Sequence, residues 1–114
     1  MTQAELWQLD AHEIVAQTRT GELSAEEAVG AAIDRMEAVN PSLNAVVQSC
    51  AEQAMDRARA LDKARAEGAA PGPLFGVPVT IKVNVDQTGY ATTNGVTALK
   101  DMIAPDDAPV VRNL

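Results

Sequence analysis

The stretch Gly72-Pro-Leu-Phe-Gly-Val-Pro-Val-Thr-Ile-Lys-Val-Asn-Val-Asp-Gln-Thr-Gly-Tyr-Ala-Thr-Thr-Asn-Gly95 decides how this chain is read. Two glycine–proline turns lead into a run that alternates from Val77 to Asp86. Val77, Val79, Ile81, Val83 and Val85 fall on one face, and Thr80, Lys82, Asn84 and Asp86 on the other. A period of two carried by β-branched residues predicts a strand over about 77–86. A loop of Gly, Thr and Asn follows from Gly89 to Gly95, where short polar residues and glycine permit tight turns. A strand fixes its Cβ directions better than a loop does, so Lys82 is expected to be aimed between two glycine-containing loops. On composition alone a lone lysine on a polar strand face is ordinary solvated surface.

The order of these residues changes that weighting. Gly72 through Asp86, followed by Ala91-Thr-Thr-Asn-Gly95, resembles the lysine segment of the amidase signature family, whose members typically carry G-P-L-x-G-(I/V)-P-(V/I)-x-(V/I)-K-D-N-(I/V)-D and then T-T-x-G. The resemblance implies hydrolysis of an amide carbon–nitrogen bond by a serine, a second serine on a cis peptide bond, and a lysine. Lys82 falls on the catalytic-lysine position, and Asn84 and Asp86 on their motif positions. Val83 stands where the family usually has aspartate, on the apolar side of the alternation. Thr80 and Asn84 share the Lys82 face, and Thr92, Thr93, Asn94 and Gly95 are expected to line the site. The segment Arg35-Met-Glu-Ala-Val-Asn-Pro-Ser-Leu-Asn-Ala-Val47 also resembles the family, so the likeness covers most of the chain. It implies the N-terminal portion of an α/β/α sandwich around a mixed sheet, an α/β fold incomplete in this chain. Residues 1–114 then form part of a single amidase domain.

Local signals place the helices. Asp10-Ala-His-Glu13 reads as a capping box opening a helix over about 10–20, with Gly21 as its left-handed stop. Trp7 and Leu9 are expected to anchor that helix, and His12 to sit solvated in its first turn. Ser24-Ala-Glu-Glu27 repeats the signal for a helix over about 24–39, ended by Asn40-Pro41. Ala25, Ala28, Val29, Ala32, Ile33 and Met36 give it an apolar stripe. Leu43 to Gln48 is β-rich enough for a strand. A third helix is expected over about 49–67, with a thin apolar side and a mixed-charge face that reads as solvated. Cys50 near its start is expected to be packed and inert. After the Thr-Thr-Asn-Gly loop, Asp106 or Asp107 is placed to cap a last helix whose apolar stripe begins at Val110, Val111 and Leu114. The sequence then stops without a helix-closing signal, as an interrupted domain would.

Composition excludes several classes. Nine basic against sixteen acidic residues, a net charge of −7, argue against a nucleic-acid-binding surface. No apolar run reaches the length of a membrane span, and no leader pattern opens the chain. A single cysteine forms no internal disulfide and makes the cytoplasm the default compartment. No metal-ligand cluster or nucleotide fingerprint is present, so no cofactor is expected.

Amide hydrolysis needs a nucleophile, a base and oxyanion donors. Serines occur only at Ser24, Ser42 and Ser49, all before Lys82, and no Gly/Ser-rich segment follows. The expectation is an N-terminal fragment that supplies the lysine, is inactive alone, and needs the remainder of the amidase domain. Its partners would be that remainder and a small-molecule amide. An uncovered apolar sheet face would favour a homo-oligomer. Two other readings are the amidase component of a tRNA-dependent amidotransferase and a non-catalytic binding module on the same half-fold.

Overall fold

The computed structural model describes residues 2–114, and for residues 3 and 4 the backbone only. Its elements are α1 (Gln3–Leu6), α2 (Ala11–Thr20), α3 (Ala25–Leu43), α4 (Ala51–Ala66), a 3-10 turn (Thr97–Leu99) and α5 (Pro109–Arg112). The chain divides into two compact units, Met1–Pro78 and Val79–Leu114.

The first unit is helical because its caps and apolar positions agree. Asp10 accepts a hydrogen bond from the Glu13 amide at 2.9 Å, while the Glu13 carboxylate takes the Asp10 amide, and Gly21 closes α2 at φ 82°. Ser24 and Glu27 build the same box on α3. Leu6, Ile14, Leu23, Ala28 and Ala31 form the buried cluster, with Leu9 and Val77 packed against it. Burying a leucine or isoleucine here contributes about 2 kcal/mol. The small residues Ala25, Ala28 and Ala31 on α3 and Ala58 on α4 are buried, and the two helices pack on one another. Trp7 stays partly exposed and lies under the Arg35 guanidinium, 4.3 Å from carbon to ring centre.

A cap supplied from far along the chain completes α3. The half-buried Asp62 of α4 accepts the Ala25 amide at 2.8 Å and the Glu26 amide at 3.0 Å. With Ser24 Oγ accepting from the Glu27 amide at 3.0 Å, the orphan donors of the first turn are satisfied.

Two expectations for this unit are corrected. α3 does not stop at Asn40-Pro41 but runs to Leu43 with Pro41 inside its last turn, where the missing N–H removes a single bond. Asn44 then adopts φ 52° and its amide returns to the Asn40 carbonyl at 2.6 Å. The expected strand over 43–48 is absent for a related reason. The Asn40 carboxamide oxygen accepts from the Ala45 and Val46 amides at 3.0 and 2.9 Å, and its nitrogen donates to the Val46 carbonyl. Those three backbone groups are used locally and are not available to a ladder.

The second unit contains almost no regular structure. Among the described residues, β-pairing is limited to an isolated antiparallel bridge, Ala91 with Ile103. Around it the Thr92 amide donates to the Met102 carbonyl at 3.1 Å and the Ala104 amide to the Tyr90 carbonyl at 2.9 Å. The expected strand over 77–86 is absent. Pro78 offers no donor, and the Val85 amide folds back to the Lys82 carbonyl at 2.9 Å, so the run ends in a turn. The mixed sheet is therefore not formed by these residues. The sidedness persists only from residue 80: Ile81, Val83 and Val85 are half-buried while Thr80, Lys82, Asn84 and Asp86 are exposed, but Val79, expected on the apolar face, is exposed as well. The last helix is not capped by Asp106 or Asp107; Ala108 occupies the cap position.

Candidate functional site

The Gly72–Gly95 stretch is shared between the units. Its first part is fastened to α2. Thr18, with no exposed surface, has its hydroxyl 2.8 Å from both the Ile14 and the Phe75 carbonyl oxygens, and Arg19 donates to the Gly72 carbonyl at 3.2 Å. Gly76 sits over Thr18 at φ 77°, so close that a Cβ there would lie 2.8 Å from the Thr18 methyl. Only glycine meets both demands at this position.

The second part holds the sequence-predicted site residues. Lys82 and Asn84 belong to the Lys82–Val85 turn and are exposed, and Thr80 precedes it, also exposed. Thr92 is half-buried and donates to Asp86 Oδ1 at 2.5 Å. Thr93 Oγ1 accepts from the Gly95 amide at 3.2 Å. Asn94 at φ 47° and Gly95 at φ 75° turn the loop back, and the Asn94 amide donates to the Val83 carbonyl at 3.3 Å. The structure thus ties the Thr-Thr-Asn-Gly loop to the turn that carries Lys82. Both halves of the motif meet without a sheet.

Residues not expected at the site are tied to the segment between Asp86 and the loop. The Asp107 carboxylate accepts the Thr88 amide at 2.7 Å, and the Asp86 carbonyl accepts the Ala108 amide at 2.9 Å. The Thr88 amide, then its hydroxyl and the nearby Arg112 charge, hold the Asp107 carboxyl below its ordinary pKa. Asp107 had an evident signal as a short acidic residue before a proline-led helix. Its actual partner lies nineteen residues away and could not be read from spacing.

The serines have other work. Ser24 caps α3 and Ser49 Oγ accepts from the Ala51 amide at 3.4 Å. Ser42 lies in the last turn of α3, exposed. Among the described residues, no group of three or more His, Cys, Asp or Glu side chains is arranged to hold a metal ion. No helix among them is long and apolar enough to cross a membrane.

A family model described as Amidase matches residues 27–114, from the first turn of α3 through the whole lysine motif. The chain belongs to the amidase signature family. It is 55% identical over 109 residues to an indoleacetamide hydrolase of Bradyrhizobium diazoefficiens, covering 96% of this chain and 21% of that relative. It is 46% identical over 110 residues to a glutamyl-tRNA(Gln) amidotransferase subunit of Moorella thermoacetica, covering 96% and 23%. A crystal structure of a bacterial aryl acylamidase of the amidase signature family superposes with a TM-score of 0.80 at 35% identity, covering 86% of this chain and 20% of that one. The fold is therefore that of amidase signature enzymes over this region, while the chain spans between a fifth and a quarter of these relatives' lengths.

Proposed function

We propose that this chain is part of an amide hydrolase in which Lys82 is the base. The observation that carries the reading is the match of the family model across the entire lysine motif, with its two halves joined by hydrogen bonds in the second unit. Lysine serves as a base at neutral pH only when burial lowers its pKa, so the reading requires further parts of the domain to cover Lys82, which is exposed here. In the proposed cycle neutral Lys82 takes a proton through a serine on a cis peptide bond, and a second serine attacks the amide carbonyl. The amine or ammonia departs with a proton, and water opens the acyl-enzyme to the acid. Ser24, Ser42 and Ser49 are not cast in these roles; both catalytic serines and the oxyanion donors would come from parts of the domain beyond these 114 residues. Alone, the 114-residue chain would then be inactive.

Both units are read as pieces of one amidase domain whose mixed sheet is completed by those other parts. Thr80, Asn84, Thr92, Thr93, Asn94 and Gly95 are proposed to line the approach to Lys82. The names of the relatives favour a small amide with an aromatic portion as substrate. The cytoplasm is the proposed compartment, from the single cysteine, and a homo-oligomer is compatible with this arrangement.

The test uses the natural polypeptide that carries these residues. Release of ammonia or amine from a panel of aryl and alkyl amides is compared with that of Lys82→Ala, which should lose roughly 100- to 10,000-fold in kcat. Full turnover by Lys82→Ala removes the reading. The similarity to a glutamyl-tRNA(Gln) amidotransferase component supports a second one, amide cleavage coupled to a tRNA-dependent partner. Hydrolysis limited to glutamine and stimulated by partner proteins would favour it. Stable binding of a partner with no hydrolysis would favour the non-catalytic module.

A further inference from the structure

The hydrolase reading assigns no role to Asp86, yet three hydrogen bonds of the site pass through it or beside it. Its side chain accepts the Thr92 hydroxyl at 2.5 Å, a length typical of a hydroxyl bound to a carboxylate. Its own carbonyl accepts the Ala108 amide at 2.9 Å, which anchors it to the residue that opens α5. Beside it, the Val83 carbonyl accepts the Asn94 amide at 3.3 Å. Asp86 thus stands four residues after Lys82 at the base of its turn, and grips the first residue of the Thr-Thr-Asn-Gly loop.

Among the described residues no sheet fixes the direction of Lys82, so what this chain itself contributes to its orientation is turn geometry and side-chain ties. We infer that Asp86 and Thr92 form a clasp that positions Lys82 and the Asn94–Gly95 turn relative to one another, acting on the reaction through the lysine and not on the substrate. The inference rests on the amide-hydrolase reading. Aspartate suits this role because a carboxylate accepts only, so it fixes the threonine hydroxyl as donor and leaves its second oxygen for water. Misplacement of a catalytic group by about 1 Å costs up to about 100-fold in rate.

The experiment uses the natural polypeptide and the amide it turns over fastest. Asp86→Ala and Thr92→Val should each lower kcat roughly tenfold with KM within about twofold of the parent, the size of losing a charge-assisted hydrogen bond. Asp86→Asn and Thr92→Ser keep an acceptor and a donor, and should recover most of the rate. The double variant Asp86→Ala/Thr92→Val should be no slower than the worse single, because the two residues act as one device. Amide hydrogen exchange at Asn94 supplies a readout independent of turnover, and should quicken at least several-fold in both single variants. Unchanged exchange at Asn94 in Thr92→Val, which replaces the hydroxyl with a methyl of similar size, overturns the clasp whether or not Asp86→Ala folds. Unchanged kcat with quickened exchange overturns its positioning role. If the parent hydrolyses no amide, the hydrolase reading falls and the positioning role with it, and exchange at Asn94 alone decides whether the clasp exists.

Discussion

The two units of this chain are stabilised in different ways. Met1–Pro78 has amphipathic helices whose capping residues, apolar stripe and glycine stop agree with one another, and a cluster of buried Leu, Ile and Ala at its centre. Val79–Leu114 has one isolated bridge, a 3-10 turn and a four-residue helix, and its buried apolar residues include the small Ala91 and Ala104. It is held by backbone amides returned to nearby carbonyls and by carboxylates gripping an amide or a hydroxyl. The helical unit concentrates apolar burial, which tolerates small displacements. The motif unit concentrates directional bonds, which do not. The second kind of scaffold would suit Lys82 as the proposed base, with its position depending on fewer, more specific ties.

The largest effect on the helical unit should come where its packing meets a turn of the motif. Gly76→Ala places a methyl group at φ 77° and 2.8 Å from the Thr18 methyl, so it combines backbone strain with overpacking. Together these should cost about 3 kcal/mol. Thr18→Ser removes that methyl while keeping the hydroxyl that faces the Phe75 carbonyl. In the Thr18→Ser background the penalty for Gly76→Ala should shrink by about 1 kcal/mol, the steric share, leaving the backbone share intact. Urea unfolding followed by the fluorescence of Trp7, the single tryptophan, reads both. Equal penalties in the two backgrounds would show that the close approach of Gly76 to Thr18 carries no weight.

A smaller effect tests the cap that crosses from α4 to α3. Asp62→Ala leaves the Ala25 and Glu26 amides without their carboxylate, and should destabilise the helical unit by about 1.5 kcal/mol. Asp62→Asn keeps one acceptor oxygen, so it should lose roughly half as much. The midpoint of urea unfolding should fall with an unchanged slope, since little buried surface differs. An Asn variant as damaged as the Ala variant would mean that charge at the helix N-terminus, and not the hydrogen bonds, supplies the effect.

What the sequence made legible follows the same division. The α2 and α3 starts could be read because a capping box is local: Asp10 with Glu13 and Ser24 with Glu27 lie three residues apart. The family resemblance was legible through the ordered residues around Lys82. The two expected strands were not formed, because alternation reports which side of a segment is apolar and not whether a partner strand exists. Ile81, Val83 and Val85 kept their half-buried side in a segment that is not a strand. Asn40 defeated the short-range signals at 43–48 by using its carboxamide on backbone groups a strand would have needed. Asp62 gave no local sign of its role and Asp107 was read as a cap for the last helix, since their actual partners lie thirty-seven and nineteen residues away.

Acid should separate the units by the smallest margin, through carboxylates that each uses differently. In the helical unit the Ser24 amide, then its hydroxyl, hold Glu27 below its ordinary pKa, and in the motif unit the Thr88 amide and hydroxyl do the same for Asp107. A carboxyl with a folded pKa below its unfolded value binds fewer protons folded than unfolded across that interval. Its contribution is therefore whole above the unfolded value, about 4.3 for glutamate and 3.9 for aspartate, and is lost as pH falls through the lower folded value. Both side chains are largely in water, where screening keeps each contribution small. Glu27→Gln should flatten the acid loss of helical signal below about pH 4 and leave the Asn94 and Thr92 amide resonances untouched. Asp107→Asn should do the reverse, moving the Thr88 and Thr92 resonances while the helical signal titrates as before. If either variant alters both signals alike, the two units lose their caps and ties in a single cooperative step, and the contrast between packed helices and tied turns does not extend to how the chain unfolds.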